Sequence, residues 1–258
     1  MTPKQYPVWV VILIWAAAAI PMGVLSWVIT PALMRHTQAD VLMRLAALTV
    51  GLVWQFCLVI LLLRGQNGRL RLRDLTRLLW LVKPSNPRSG KPSGAMWWWL
   101  IPLIVVTAAY EMKVVPLMQQ WWTSLFPFFA EPTGYGVSGY LSSSAGKAQM
   151  VGAWGILVLF VTNALFNTFL GEELLFRGLL LPRMQGSFGG WSWIANGMLF
   201  GLYHFHQPWG MLSSIVSGTL LFALSTKIFK SSWFGIVLHS GQSLFFTFIM
   251  IGMVLGLA

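Results

Sequence analysis

Across 258 residues the chain is 57% hydrophobic and only 9% charged, with a mean hydropathy of +0.71, whereas soluble domains carry about 25% charged residues. That balance excludes a soluble globular fold and indicates an integral membrane protein; the length suits one helical bundle with no separate soluble domain. The formal net charge is +11, and Cys57, the single cysteine, excludes an intrachain disulfide.

Apolar runs predict seven spans, near Val8–Thr30, Val41–Leu63, Trp97–Leu117, Met150–Leu170 continuing to about Leu181, Trp191–Phe205, Met211–Phe229 and Trp233–Leu257. The first has a thin positive flank and no small-residue cleavage site before Pro21, so it is expected to be a retained helix and not a signal peptide. The fifth is short. Gln119–Ala130 suits either an interfacial helix or, given Pro127 and Pro132, a loop. Lys83–Gly94 is rich in Pro, Ser and Gly and reads as a linker. Tryptophans gather near run ends, at Trp97 to Trp99, Trp121 and Trp122, and Trp191 and Trp193, as interfacial belts do. The expected fold class is all-α: a multi-pass transmembrane bundle of about seven to eight helices, one integral membrane domain over residues 1–258.

Charge position sets the expected topology. Arg64, Arg69, Arg71, Arg73, Arg77, Lys83, Arg88 and Lys91 face one acid, Asp74, between the second and third spans. By the positive-inside rule this basic loop, residues 64–96, is cytoplasmic. Alternation then puts the amino terminus with Lys4, the turn at Arg183 and the end of the sixth span at Lys227 and Lys230 on the same side. The loop reads as a solvated, lipid-facing segment and not as a nucleic-acid site.

Six acidic residues serve the whole chain, yet two of them, Glu172 and Glu173, are adjacent inside the fourth span, where each costs about 2.5–3.5 kcal/mol even on a lenient insertion scale. Counting about 1.5 Å per residue, Glu172 lies roughly 15 Å from the cytoplasmic end of its span. His204 lies roughly 18–20 Å along the fifth and His239 roughly 9 Å into the seventh. Glu173 and Arg177, four apart, share a helix face, so the arginine can neutralise that carboxylate. Glu172 points about 100° away and is left for other partners. Asn196, Phe200 and His204 form one stripe, His239 and Ser243 another, and Asn163 and Asn167 extend the polar face of the fourth span. Such stripes look into a bundle or a wet cavity.

A carboxylate in a dry pocket with histidines and an arginine nearby suits hydrolysis, taking a proton from water while the cations stabilise an oxyanion. The same Glu172, His204 and His239 also suit a divalent metal such as zinc, although the metalloprotease pattern of two histidines around a glutamate is absent. Both mechanisms stay open at this level. The bland alternatives are a buried structural ion pair for Glu173 and Arg177, and interhelical hydrogen bonding for each histidine. His206 is expected at an interface, Glu111 and Lys113 near one, with Glu111 alternatively lining a cavity, and His36 in a loop.

The sequence Glu172-Glu173-Leu174-Leu175-Phe176-Arg177 resembles the EExxxR motif of the CAAX protease and bacteriocin-processing family, intramembrane proteases related to the type II CAAX prenyl endopeptidase. Phe200-Gly201-Leu202-Tyr203-His204 is similar to its FxxxH motif, and His239 to the histidine of its last motif. The likeness covers about Asn163–Phe246 and implies a catalytic core within 150–250. It implies that Glu172 activates the attacking water with His204, that Glu173 and Arg177 position the site or the substrate, and that His239 supports the oxyanion. Asn196 and Phe200 are further positioning candidates. The family has Asn, or sometimes Asp, four residues after that histidine; here it is Ser243, whose reach is shorter, with Gln242 a possible substitute.

The expected function is therefore an intramembrane endopeptidase, glutamate-type in preference to zinc-dependent, with no cofactor favoured. Its partners would be the lipid bilayer and a lipophilic or membrane-anchored peptide or protein, prenylated or leader-bearing. Short loops and a compact bundle suggest a bacterial cell (inner) membrane. The competing class is an inactive membrane immunity or scaffold factor, kept open by Ser243. A transporter or proton relay would instead spread its polar residues along a path across the bilayer.

Overall fold

The computed structural model describes residues 3–34, 40–69 and 71–257; His36 lies outside them. All described secondary structure is helical apart from an isolated antiparallel bridge between Ser85 and Pro92 in the predicted linker. That is what an apolar chain demands, since in lipid every backbone polar group must find its partner within its own segment. Among the described residues, six helices are long and apolar enough to cross a membrane: α1 (Val8–Leu33), α2 (Asp40–Asn67), α3 (Gly94–Leu125), α4 (Trp154–Arg183), α6 (Pro208–Phe229) and α7 (Trp233–Val254).

The fifth predicted span is the shorter α5 (Ser192–Tyr203), extended by 3₁₀ turns at Gly189–Trp191 and His204–His206. The tighter 3₁₀ winding rises about 2 Å per residue, so the whole piece reaches roughly 30 Å, enough to run beside α6. Gly197 and Gly201 make that pairing close: a Cβ on either would collide with the backbone of Thr219 or Ile215 on α6.

Several helices are not uniformly wound. Wide π-type turns occur at Leu25–Ile29 beyond Pro21 in α1, at Tyr110–Val114 just before Pro116 in α3, and at Phe166–Leu170 and Leu174–Leu180 in α4. Proline cannot donate to the preceding turn, and an extra residue per turn absorbs the mismatch. The third helix consequently continues through Pro116 to Leu125, and Gln119–Leu125 is neither a separate interfacial helix nor a loop. Short helices at Leu72–Leu78, Val137–Ser142 and Ser144–Met150 fill the connections.

The segments expected in the cytoplasm converge at one end of the bundle. The Tyr6 amide donates to the Arg183 carbonyl (2.9 Å), and Arg183 Nη1 donates to Leu78 in the basic loop (3.0 Å). Ser232, in the turn between α6 and α7, donates to Leu79 (2.7 Å), and the Ser85 amide donates to Phe229 (2.8 Å). At the opposite end Arg44 of α2 stacks on Tyr135 and Trp209 and reaches the Tyr135 and His206 carbonyls at 3.4 Å. The main apolar core lies between these ends and surrounds Phe176, Phe200 and Tyr203.

Candidate active site

α4 is broken where its carboxylates sit. Gly171 has φ −89° and ψ −84°, and its amide donates five residues back to Phe166 (2.7 Å). A Cβ there would lie 2.5 Å from the Phe166 carbonyl oxygen and 2.9 Å from that of Leu52. Glycine thus permits α4 to touch α2 immediately before Glu172. The irregular turn follows, and such turns are frequent at functional sites.

Glu172 is 1% exposed, and Glu173 and Arg177 are 0% exposed. Glu173 Oε1 lies 3.0 Å from Arg177 Nη1 and 3.0 Å from Nδ1 of His239 on α7. Arg177 also donates through Nη2 to the Gly218 carbonyl on α6 (3.2 Å), and its guanidinium lies 4.0 Å from the Phe200 ring centroid. One carboxylate therefore ties α4 to α7, while its arginine ties α4 to α6 and α5. A second strap joins α7 to α4 where Ser240 donates to Thr168 (3.0 Å).

Glu172 turns away from this pair. It lies within electrostatic range of Tyr203, His239, Glu173 and Arg177. Its Oε2 is buried with no hydrogen-bond partner. His204 and His239 lie on two edges of Phe200, with ring centroids 4.7 and 5.8 Å from that ring, and Phe222 stacks on His239 at 4.9 Å. His204 Nδ1 is 2.8 Å from the Phe200 carbonyl. A carbonyl only accepts, so the hydrogen belongs on Nδ1 and Nε2 of the neutral ring keeps its lone pair. His239 Nδ1 faces a carboxylate by the same logic, leaving its Nε2 to the site.

The remaining candidates are placed differently. Asn196 does not touch Glu172 or a histidine; its Nδ2 donates to the Phe176 carbonyl (2.8 Å), within the wide Leu174–Leu180 turn. It thereby satisfies a backbone group on the helix carrying the carboxylates. Ser243 lies one turn beyond His239, on a cavity of about 240 Å³ also lined by Asn163, Asn167, Gln242 and Thr247. His206, expected near the interface, is buried within the protein: its Nδ1 approaches the Tyr203 carbonyl (3.0 Å), and its own carbonyl accepts from Ser26 (2.7 Å).

Three residues with no role in the sequence reading enter the site's surroundings. Tyr203 lies within electrostatic range of Glu172, and Gln55 of α2 donates through Nε2 to the Tyr203 hydroxyl (2.7 Å). Glu111, read from the sequence as near an interface or lining a cavity, lies in the irregular turn of α3 within electrostatic range of His239. Gln55 carried a signal, a lone carboxamide in a long apolar run. Tyr203 carried none apart from standing beside His204.

Among the described residues, no three His, Cys, Asp or Glu side chains converge as a metal-binding group. The two histidines pack against Phe200, and one nitrogen of each ring is already occupied.

Comparisons with curated proteins and with solved structures gave no match. Residues 153–245 match the family model described as type II CAAX prenyl endopeptidase Rce1-like, a segment that takes in Glu172, Glu173, Arg177, His204 and His239 and bears out the resemblance to CAAX proteases read from the sequence.

Proposed function

We propose that this integral membrane protein is an intramembrane endopeptidase in which Glu172 activates water. The observation that carries the reading is the buried Glu172 Oε2, which has no hydrogen-bond partner on a carboxylate within electrostatic range of His239. An unpaired buried carboxylate oxygen is costly, and a water molecule is the natural partner.

In the proposed reaction Glu172 takes one proton of that water as the water oxygen attacks the scissile carbonyl carbon. His204 Nε2 accepts a hydrogen bond from the water's other hydrogen and orients its lone pair. The oxyanion is met by His239 protonated on both nitrogens, which donates through Nε2 while its Nδ1–H is held by the Glu173 carboxylate, and by the field of Arg177. Glu172 then returns its proton to the departing amine as the C–N bond breaks, so the protein ends unchanged. This route is preferred to three-ligand zinc binding because no three His, Cys, Asp or Glu side chains converge among the described residues; a purified sample stripped with chelator should retain cleavage.

The substrate class proposed is the end of a lipophilic or membrane-anchored peptide, with or without a prenyl group, in a bacterial inner membrane. The amino terminus and the basic loop are taken as cytoplasmic. The direct test is Glu172→Gln, which keeps shape and removes the base: processing of membrane-protein termini, compared by proteomics in cells with wild type or variant, should disappear at unchanged expression. Retained processing overturns the assignment.

A further inference from the structure

Where α2 runs out into the basic loop, three arginines gather without an acid. Arg64, Arg69 and Arg71 line one cavity of about 750 Å³ together with Ile60, Gly68 and Leu75. All three side chains are exposed and, among the described residues, they make no ion pair and no side-chain hydrogen bond. Guanidiniums gathered in this way repel one another unless an anion joins them.

The apolar wall of the cavity continues down the outside of α2. Val50, Trp54, Cys57 and Leu61 are exposed and recur at intervals of four, three and four residues, a single stripe of the helix that ends on Arg64 three residues later. From Val50 to Leu61 the stripe is roughly 16 Å long at the helical rise. That is about half of a 30 Å hydrocarbon core, the depth of one lipid leaflet. Leu72, next to Arg71 at the start of the short helix Leu72–Leu78, is 78% exposed; a bare leucine is unfavourable in water and favourable at the boundary between headgroups and acyl chains.

We infer that this cavity binds one anionic phospholipid, with its phosphate on Arg64, Arg69 and Arg71 and an acyl chain laid along the stripe from Leu61 to Val50. The inference is independent of Glu172 and of cleavage. Guanidinium forks match phosphate oxygens bidentately, and the volume is that of an ordinary ligand site. Charge selects the headgroup. The ammonium of a zwitterionic lipid would meet three guanidiniums and no lining acid, whereas phosphatidylglycerol brings the phosphate and neutral hydroxyls alone. A soluble phosphate ester shares the phosphate chemistry but leaves the apolar stripe uncovered, so the stripe favours the lipid.

Cys57, the single cysteine, stands on the stripe two turns from Arg64 and can report on the site. The full chain carrying a small fluorophore on Cys57 is placed in phosphatidylcholine nanodiscs doped with phosphatidylglycerol bearing a nitroxide on an acyl chain. Matched discs carry the nitroxide on phosphatidylcholine. Half-quenching should need about tenfold less of the labelled phosphatidylglycerol, and Arg64→Gln should shrink that preference about fivefold. The triple variant Arg64→Gln, Arg69→Gln, Arg71→Gln should remove it. Arg73→Gln with Arg77→Gln, two exposed loop arginines that do not line the cavity, should leave it within about twofold. Equal quenching by the two lipids in the wild type, or a loss in the Arg73 and Arg77 variant as large as in the triple variant, overturns the site. If the triple variant does not fold, Arg64→Gln decides, and an unchanged preference there has the same meaning. Soluble glycerophosphoglycerol, matched against sodium chloride for ionic strength, should not restore the fluorescence; restoration would show that the site takes a soluble phosphate ester and would overturn the lipid assignment.

Discussion

Arg177→Leu would leave the Glu173 carboxylate, fully buried, facing little more than the His239 ring. The arginine supplies three contacts at once: Nη1 at 3.0 Å from Glu173, Nη2 donating to Gly218 at 3.2 Å, and the guanidinium 4.0 Å from the centre of Phe200. Removing one partner of a buried pair costs about 3–5 kcal/mol, chiefly because an uncompensated charge remains. The stacking on Phe200 overlaps with that figure and is not added to it. At roughly 2–4 °C per kcal/mol for a chain of this size, thermal unfolding of the purified protein in detergent, followed by tryptophan fluorescence, should fall by about 10 °C. The cause can be separated from lost packing. In Arg177→Leu combined with Glu173→Gln the charge is gone, while the new amide oxygen still accepts from His239 Nδ1. Most of the loss should return in that double variant. If the single variant melts within about 2 °C of wild type, or the double is no better than the single, the pair does not hold the site as argued.

Gly235→Ala on α7 would drive a methyl into Glu173 Oε2, with Thr226 Oγ1 at 3.0 Å and Arg177 Cγ at 3.1 Å. The expected loss is about 1–3 kcal/mol, together with a fall in cleavage larger than the stability loss explains; Gly241→Ala on the same helix, with nothing within 4 Å, is the neutral control. Ser243→Asn should preserve or raise cleavage if that position assists the oxyanion, and a marked loss would exclude the role. Glu131 lies outside the spans, and burial raises its carboxyl above the ordinary 4.5, with Arg44 opposing. The folded state therefore holds this proton more tightly than the unfolded one. The stabilisation is complete below the unfolded value and is lost as pH rises through the folded one. Amide exchange over residues 131–137, corrected for its intrinsic pH dependence, should be slower at about pH 4 than at neutrality, and Glu131→Gln should abolish the difference.

The membrane class and the approximate position of most spans were legible because bilayer thickness imposes a length and apolarity that any window of sequence reveals. Charge asymmetry alone grouped Arg183, the basic loop and Lys227, which the structure brings to one end. Helical spacing likewise separated Glu173, partner of Arg177, from Glu172. The continuation of α3 past Pro116 escaped, because an irregular turn accommodates the proline that a regular helix rejects.

By itself, then, the sequence determined what is local or periodic: membrane residence, the helical class, and the order of three motifs on successive helices. Only the tertiary structure decided which atoms meet. Glu173 holds both Arg177 and His239, and Gln55 reaches the Tyr203 hydroxyl from a helix more than a hundred residues earlier in the chain. Asn196, on the same stripe as His204, serves the backbone at Phe176. The physical reason is that helix periodicity fixes which residues share a face, whereas the partner of a face is set by how closely helices approach. Here that approach depends on Gly171, Gly197 and Gly201, where a missing Cβ lets one backbone rest on another.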